Sequence, residues 1–80
     1  MDISTLQKVE IEWIDSKGIT SLWEYIDEIK PLLPVMIKTS GYLIDDNLTY
    51  KTIANSVSND QVAGRITIPA VCIKKITVLG

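Results

Sequence analysis

The chain has no histidine and a single cysteine, Cys72, among its 80 residues. Without histidine there is no Ser-His or Cys-His couple for nucleophilic catalysis, and the usual ligand sets for zinc, haem and iron–sulfur clusters are missing. One cysteine cannot build an internal disulfide framework. Because Cys72 follows the apolar Ala70 and Val71, it reads as a small buried hydrophobe rather than a nucleophile. No apolar run approaches the roughly 20 residues of a membrane-spanning helix. The opening MDISTLQK lacks the charged-then-apolar order of a signal peptide, so a cytosolic protein with no membrane contact is expected. Glycine-rich phosphate loops and the GxSxG elbow are absent, as are repeats, linkers and low-complexity tracts. No cofactor is implied.

Positive charge is also scarce. Eight Lys and Arg against ten Asp and Glu leave a net charge of −2 and a pI near 4.9, a field that repels polyanions and argues against coating of extended nucleic acid. A local basic cluster can still hold a small anion, since Lys38, Lys51, Arg65, Lys74 and Lys75 all fall in the strand-rich part of the chain. What the chain has in quantity is apolar surface, at 46% of residues. A single domain, 1–80, of this size buries only about 60–70% of its unfolded surface. The apolar excess therefore predicts a homo-oligomer.

Periodicity organises the rest. KVEIEWI, from Lys8 to Ile14, alternates strictly, with Val9, Ile11 and Trp13 on one face, and reads as a half-buried strand with Trp13 in the core. Asp15 to Gly18 make a polar turn in which the Asp and Ser side chains bond following amides. Ser21 and Glu24 have capping-box spacing, and Leu22, Ile26 and Ile29 recur at helical intervals. A short helix is expected from Ser21 to Ile29, stopped by Pro31 and Pro34 and stable only if docked. Trp23 and Tyr25 lie off its apolar stripe and are the candidate partner or interface residues.

Val35 to Asp45 reads as a second strand interrupted by Gly41, which marks a bulge, a sharp bend or the close approach of another backbone or ligand. A turn at Asp45–Asn47 leads to a return strand from Leu48 to Val57, and Ser58–Asp60 to a strand from Val62 to Ile68. Pro69 cannot donate to a ladder, so Pro69–Val71 is expected as one 3₁₀ turn before a closing strand, Ile73–Leu79. The expected fold is mainly β: a small five-stranded antiparallel barrel of SH3-like or Sm-like type, with one short helix in the first loop.

Enzymatic chemistry has little to stand on. Asp45 and Asp46 are adjacent in a predicted turn, where neighbours splay apart, so a solvated hairpin tip explains them better than paired acid–base work. A magnesium site from Asp15 and Asp60 requires the two to meet in space. The candidate ligand site is instead Lys38, Thr39, Ser40 and Gly41, where a cation, two hydroxyls and an accessible backbone are consecutive. Tyr42 adds a ring to stack on a base, and Lys51, Asn55 and Arg65 come from neighbouring strands. The bland alternative is a set of outward polar residues around a buried tyrosine. Ser58–Gln61 is a second polar cluster, whose first three residues turn preference alone explains.

The segments EWIDS (Glu12 to Ser16), TSGYLI (Thr39 to Ile44), ITIP (Ile66 to Pro69) and IKKI (Ile73 to Ile76) resemble those of a group of small bacteriophage-encoded proteins of about this length, mostly uncharacterised. The resemblance spans most of the chain and implies a phage or prophage setting and the host cytoplasm; it implies no activity. By analogy of setting and size, the leading expectation is a phage anti-defence sponge. Such a homo-oligomer traps a cyclic or ADP-ribose-type nucleotide of host immune signalling in pockets between subunits, without catalysis. The alternatives are an SH3-like interaction module that inhibits a host protein through Trp23 and Tyr25, and a structural phage accessory subunit.

Overall fold

A computed structural model describes residues 3–16 and 23–80. A 3₁₀ turn at Ile3–Thr5 precedes β1 (Lys8–Asp15). Next come a 3₁₀ turn at Ile26–Glu28, β2 (Val35–Asp46), β3 (Tyr50–Val57), β4 (Val62–Pro69), a 3₁₀ turn at Ala70–Cys72 and β5 (Ile73–Leu79). The five strands form one antiparallel sheet in the order β4-β3-β2-β1-β5.

The register shows how this sheet makes a core. Pro69 ends β4 beside Tyr50, next to the last residues of β2, whereas Ile73 begins β5 beside Trp13, which pairs with Ile37 near the start of β2. Those two ends of β2 lie about 30 Å apart if the strand is straight. Pro69 and Ile73 are joined by four Cα steps, at most about 15 Å. The sheet must therefore fold over on itself, with β2 serving two layers: its first part pairs with β1 and its last part with β3, and the partners change over at Tyr42. The last 3₁₀ turn bridges the layers.

Gly41 sits at that changeover. A Cβ there would lie 2.7 Å from the backbone oxygen of Ala54, so only glycine lets β3 come this close. The Gly41 expectation is thus resolved as close approach of another backbone. Register shifts assist the bend. One extra residue, Ile44, stands between the pairs Leu43↔Ile53 and Asp45↔Thr52, and another, Lys74, between Ile73↔Trp13 and Lys75↔Glu12.

Val9, Ile11 and Trp13 of β1 face Ile53 and Ile68 of the other layer, with Ile37, Leu43, Cys72, Ile73 and Ile76 packed at the margins. The Trp13 indole N–H donates to Thr39 Oγ1 at 2.9 Å, so the largest core side chain carries no unmet donor. Cys72, expected to be buried, is half-buried at this margin.

Three expectations need correction. The sheet is curled but not closed into a barrel: β4 and β5 share no ladder and are both edges, linked only covalently through the 3₁₀ turn. The helix from Ser21 to Ile29 is replaced, over its described part, by the single turn Ile26–Glu28; Ser21 and Leu22 lie outside the described residues. Pro31 forces the chain out of the helical region at Lys30, and a nine-residue helix with no surface to dock on is too short to hold. The return strand begins at Tyr50 rather than Leu48, because Asn47 Oδ1 accepts from the amides of Thr49 and Tyr50 and from the Thr49 hydroxyl, all at 2.9 Å, which extends the turn.

Candidate functional site

Strand parity distributes the seven predicted ligand residues over two faces. Thr39 turns into the core and is held by Trp13. Lys38 and Ser40, one residue to either side, face outward opposite Glu12 and Glu10, and Lys38 Nζ lies 3.7 Å from Glu12 Oε1. Tyr42 is half-buried on the same outer surface, and the row Tyr42, Ala54, Arg65 crosses β2, β3 and β4 there. Lys51 and Asn55 leave β3 on the opposite side, since they alternate with Ala54. Lys51 donates to Asp46 Oδ1. Asn55 stands over Gly64, which has φ +65°, and a Cβ at Gly64 would lie 2.6 Å from the Asn55 side-chain nitrogen. The cradle Lys38–Gly41 therefore does not form as a unit: its members alternate across the strand, and its cation is already paired.

The folding instead unites Arg65 with the second polar cluster. A concavity of ≈ 300 Å³ is lined by Arg65, Ile44 and the residues from Ser58 to Val62. Within it the loop is rigidly tied: the Ser58 amide donates to Gln61 O at 2.8 Å, Ser58 Oγ accepts from the Gln61 amide at 3.1 Å and donates to Asp60 Oδ1 at 3.1 Å. This leaves the side chains of Asn59, Gln61 and Arg65 without a partner among the described residues. A guanidinium, two amides and a carboxylate thus surround an aliphatic floor. Such a set can bind an anionic group, hydroxyls and a polar ring edge. Ile44 was missed in the sequence because the extra residue at that position shifts strand parity, and no local signal marks it.

Among the described residues no cluster of three or more His, Cys, Asp or Glu side chains is placed to hold a metal ion. Asp45 and Asp46 are consecutive in β2 and so project to opposite faces, with Asp46 occupied by Lys51. No helix among the described residues is long and apolar enough to cross a membrane.

The interface candidates are displayed. Trp23 is 93% exposed and Ile26 88%, and every residue from 23 to 36 is exposed. Outside the ladders, the segment's backbone bonds among the described residues are local, from Glu28 N to Tyr25 O at 3.0 Å and Ile29 N to Ile26 O at 3.4 Å. The segment is an exposed arm, and the molecule as a whole is elongated, measuring 55 × 23 × 21 Å with a radius of gyration of 16.6 Å, against about 12 Å for a compact chain of this length. Leu32, Leu33, Val35 and Met36 continue the apolar run beyond the predicted stripe. Compared with protein-family models, with curated proteins and with solved structures, the chain shows no match.

Proposed function

We propose that this protein is a non-catalytic binding protein that sequesters a small nucleotide of the cyclic or ADP-ribose type. It would act in an assembly of several copies, in the phage setting that the resemblance implies, with the anti-defence role resting on analogy of setting and size. The observation that carries the reading is the concavity that gathers Arg65, Asn59, Asp60 and Gln61 over Ile44. Arg65 supplies the planar donor for a phosphate, Asp60 an acceptor for ribose hydroxyls, and the two amides suit a base edge. At ≈ 300 Å³ the concavity lies at the lower limit for small-molecule sites, so a neighbouring copy would have to cover the ligand's far side.

Thermal unfolding with a panel of cyclic and ADP-ribose-type nucleotides tests this. A ligand bound only to the folded state at a hundredfold excess over Kd adds about 2.7 kcal/mol, which for a domain of this size raises Tm by roughly 10 °C or more. Arg65→Ala should abolish the rise while leaving the ligand-free curve in place. Unmoved curves across the panel sink the reading.

A second reading, docking on a host protein, is favoured by the exposure of Trp23 and Tyr25. It predicts capture of one defined partner, lost in Trp23→Ala.

A further inference from the structure

We infer that the arm, residues 23–34, seats on the 3₁₀ turn and β5 edge of a second copy of this chain, so that two copies exchange arms. The inference goes beyond ligand binding and stands whether or not the Arg65 concavity holds a nucleotide.

Area is the first argument. Trp23, Tyr25 and Ile26 are 93%, 77% and 88% exposed. At roughly 150–250 Å² for a large side chain, these three alone present about 500 Å². Ile29, Leu32 and Leu33, with Val35 and Met36 where the arm enters β2, bring the area to the order of the ~800 Å² that each partner contributes to a standard interface. A monomer seldom leaves this much apolar side-chain area in water within one short segment.

The chain also carries a receiving surface. The Ala70 amide donates to Thr49 O at 2.9 Å, which ties the β2–β3 turn to the last 3₁₀ turn. That tie gathers Leu48, 99% exposed, and Val71, 93% exposed, at one end of the folded sheet, where Tyr50 and Pro69 are paired. None of the four belongs to the core cluster around Ile11, and sheet packing does not require Leu48 or Val71 to be apolar.

Charge selects the occupant. The arm carries Glu24, Asp27 and Glu28 against one base, Lys30, whereas Lys74 and Lys75 begin the unpaired edge β5 directly after the 3₁₀ turn. All of these are exposed, and none has an ion pair among the described residues. The register irregularity at Lys74 turns an extra cation out of the ladder at this point. An acidic apolar arm and a basic apolar edge on one chain are self-complementary. If the arm of one copy meets the edge of another, a two-fold axis lets the reverse contact form as well, and the assembly closes.

Sedimentation velocity and light scattering on the full chain over a wide concentration range give the test. The expected species has twice the 8.9 kDa chain mass, and it dissociates as salt rises because exposed charge pairs are screened. Ile26→Asp in the arm and Val71→Asp on the edge should each give a folded monomer, with circular dichroism unchanged. The decisive variants are charge reversals. Lys74→Glu with Lys75→Glu should dissociate the dimer at low salt, and adding Glu24→Lys, Asp27→Lys and Glu28→Lys should restore it. A wild-type chain that stays monomeric at all concentrations overturns the inference and leaves the arm to a foreign protein. A multimer indifferent to Ile26→Asp, or reversed charges that fail to restore association, overturns it equally.

Discussion

Val9, Ile11 and Trp13 of β1 and Trp23, Ile26 and Ile29 of the arm are equally apolar triplets, yet the first three are buried and the second three remain more than half exposed. The first set alternates along a strand with a ladder on each side, β2 and β5, so each side chain meets cross-strand neighbours as well as the opposite layer. The second set lies in a segment cut by two prolines, whose backbone bonds outside the ladders are local among the described residues. Hydrophobicity supplies the driving force for burial in both cases, but only geometry supplies something to be buried against. In the layered sheet, the chain itself closes the surface. In the arm it does not, and the side chains stay exposed.

Substitutions can break this contrast in order of expected effect. Ile11→Ala opens a cavity between the layers and should cost about 2–5 kcal/mol, against a total stability of roughly 4–12 kcal/mol for a chain of this length. Urea unfolding should show a midpoint lowered by a large fraction of the wild-type value. A midpoint near wild type would mean that the two layers pack loosely.

Gly41→Ala attacks the bend itself. Its methyl group meets the backbone of Ala54, which has no side-chain freedom with which to yield, so a loss of about 1–3 kcal/mol is expected. An unchanged denaturation midpoint would show that β2 bends elsewhere. Gly64→Ala follows, at about 1–2 kcal/mol for the left-handed backbone. Here part of the cost falls on the Asn55 side chain, so the double variant with Asn55→Ala should recover a fraction of it in a double-mutant cycle. Full additivity would place the strain in the backbone alone.

The smallest effect belongs to the arm. Trp23→Ala, measured at dilutions where the chain is monomeric, should change unfolding free energy by no more than about 0.5 kcal/mol, as for a surface site. Its loss should remove the red-shifted, quencher-accessible part of the tryptophan emission and leave the blue-shifted Trp13 component. A large loss of stability in the monomer would mean that the arm packs on its own sheet.

Strict alternation in KVEIEWI carried β1 and the burial of Trp13. Pro69 marked the break between β4 and β5, and the interior Gly41 marked the close approach of two strands. These are local signals, because side-chain period, a missing amide and a missing Cβ act within a few residues. The site was legible only in pieces. Arg65 and the polar loop Ser58–Gln61 belong to two different candidate clusters in the sequence, while Thr39, Lys51 and Asn55, grouped with Arg65 as residues of neighbouring strands, are separated from it by strand parity.

The sequence by itself determined that this chain is mainly β, with five strands in these places and a tryptophan in its core, since propensity and period are properties of short segments. Only the tertiary structure decided that the sheet folds over at Gly41 without closing. It also decided that a register shift puts Ile44 beside Arg65 and that the segment with helical spacing stands out as an exposed arm. Each of these depends on which backbone lies opposite which residue, and such pairings are set by the free energy of the whole packed chain rather than by any window of its sequence.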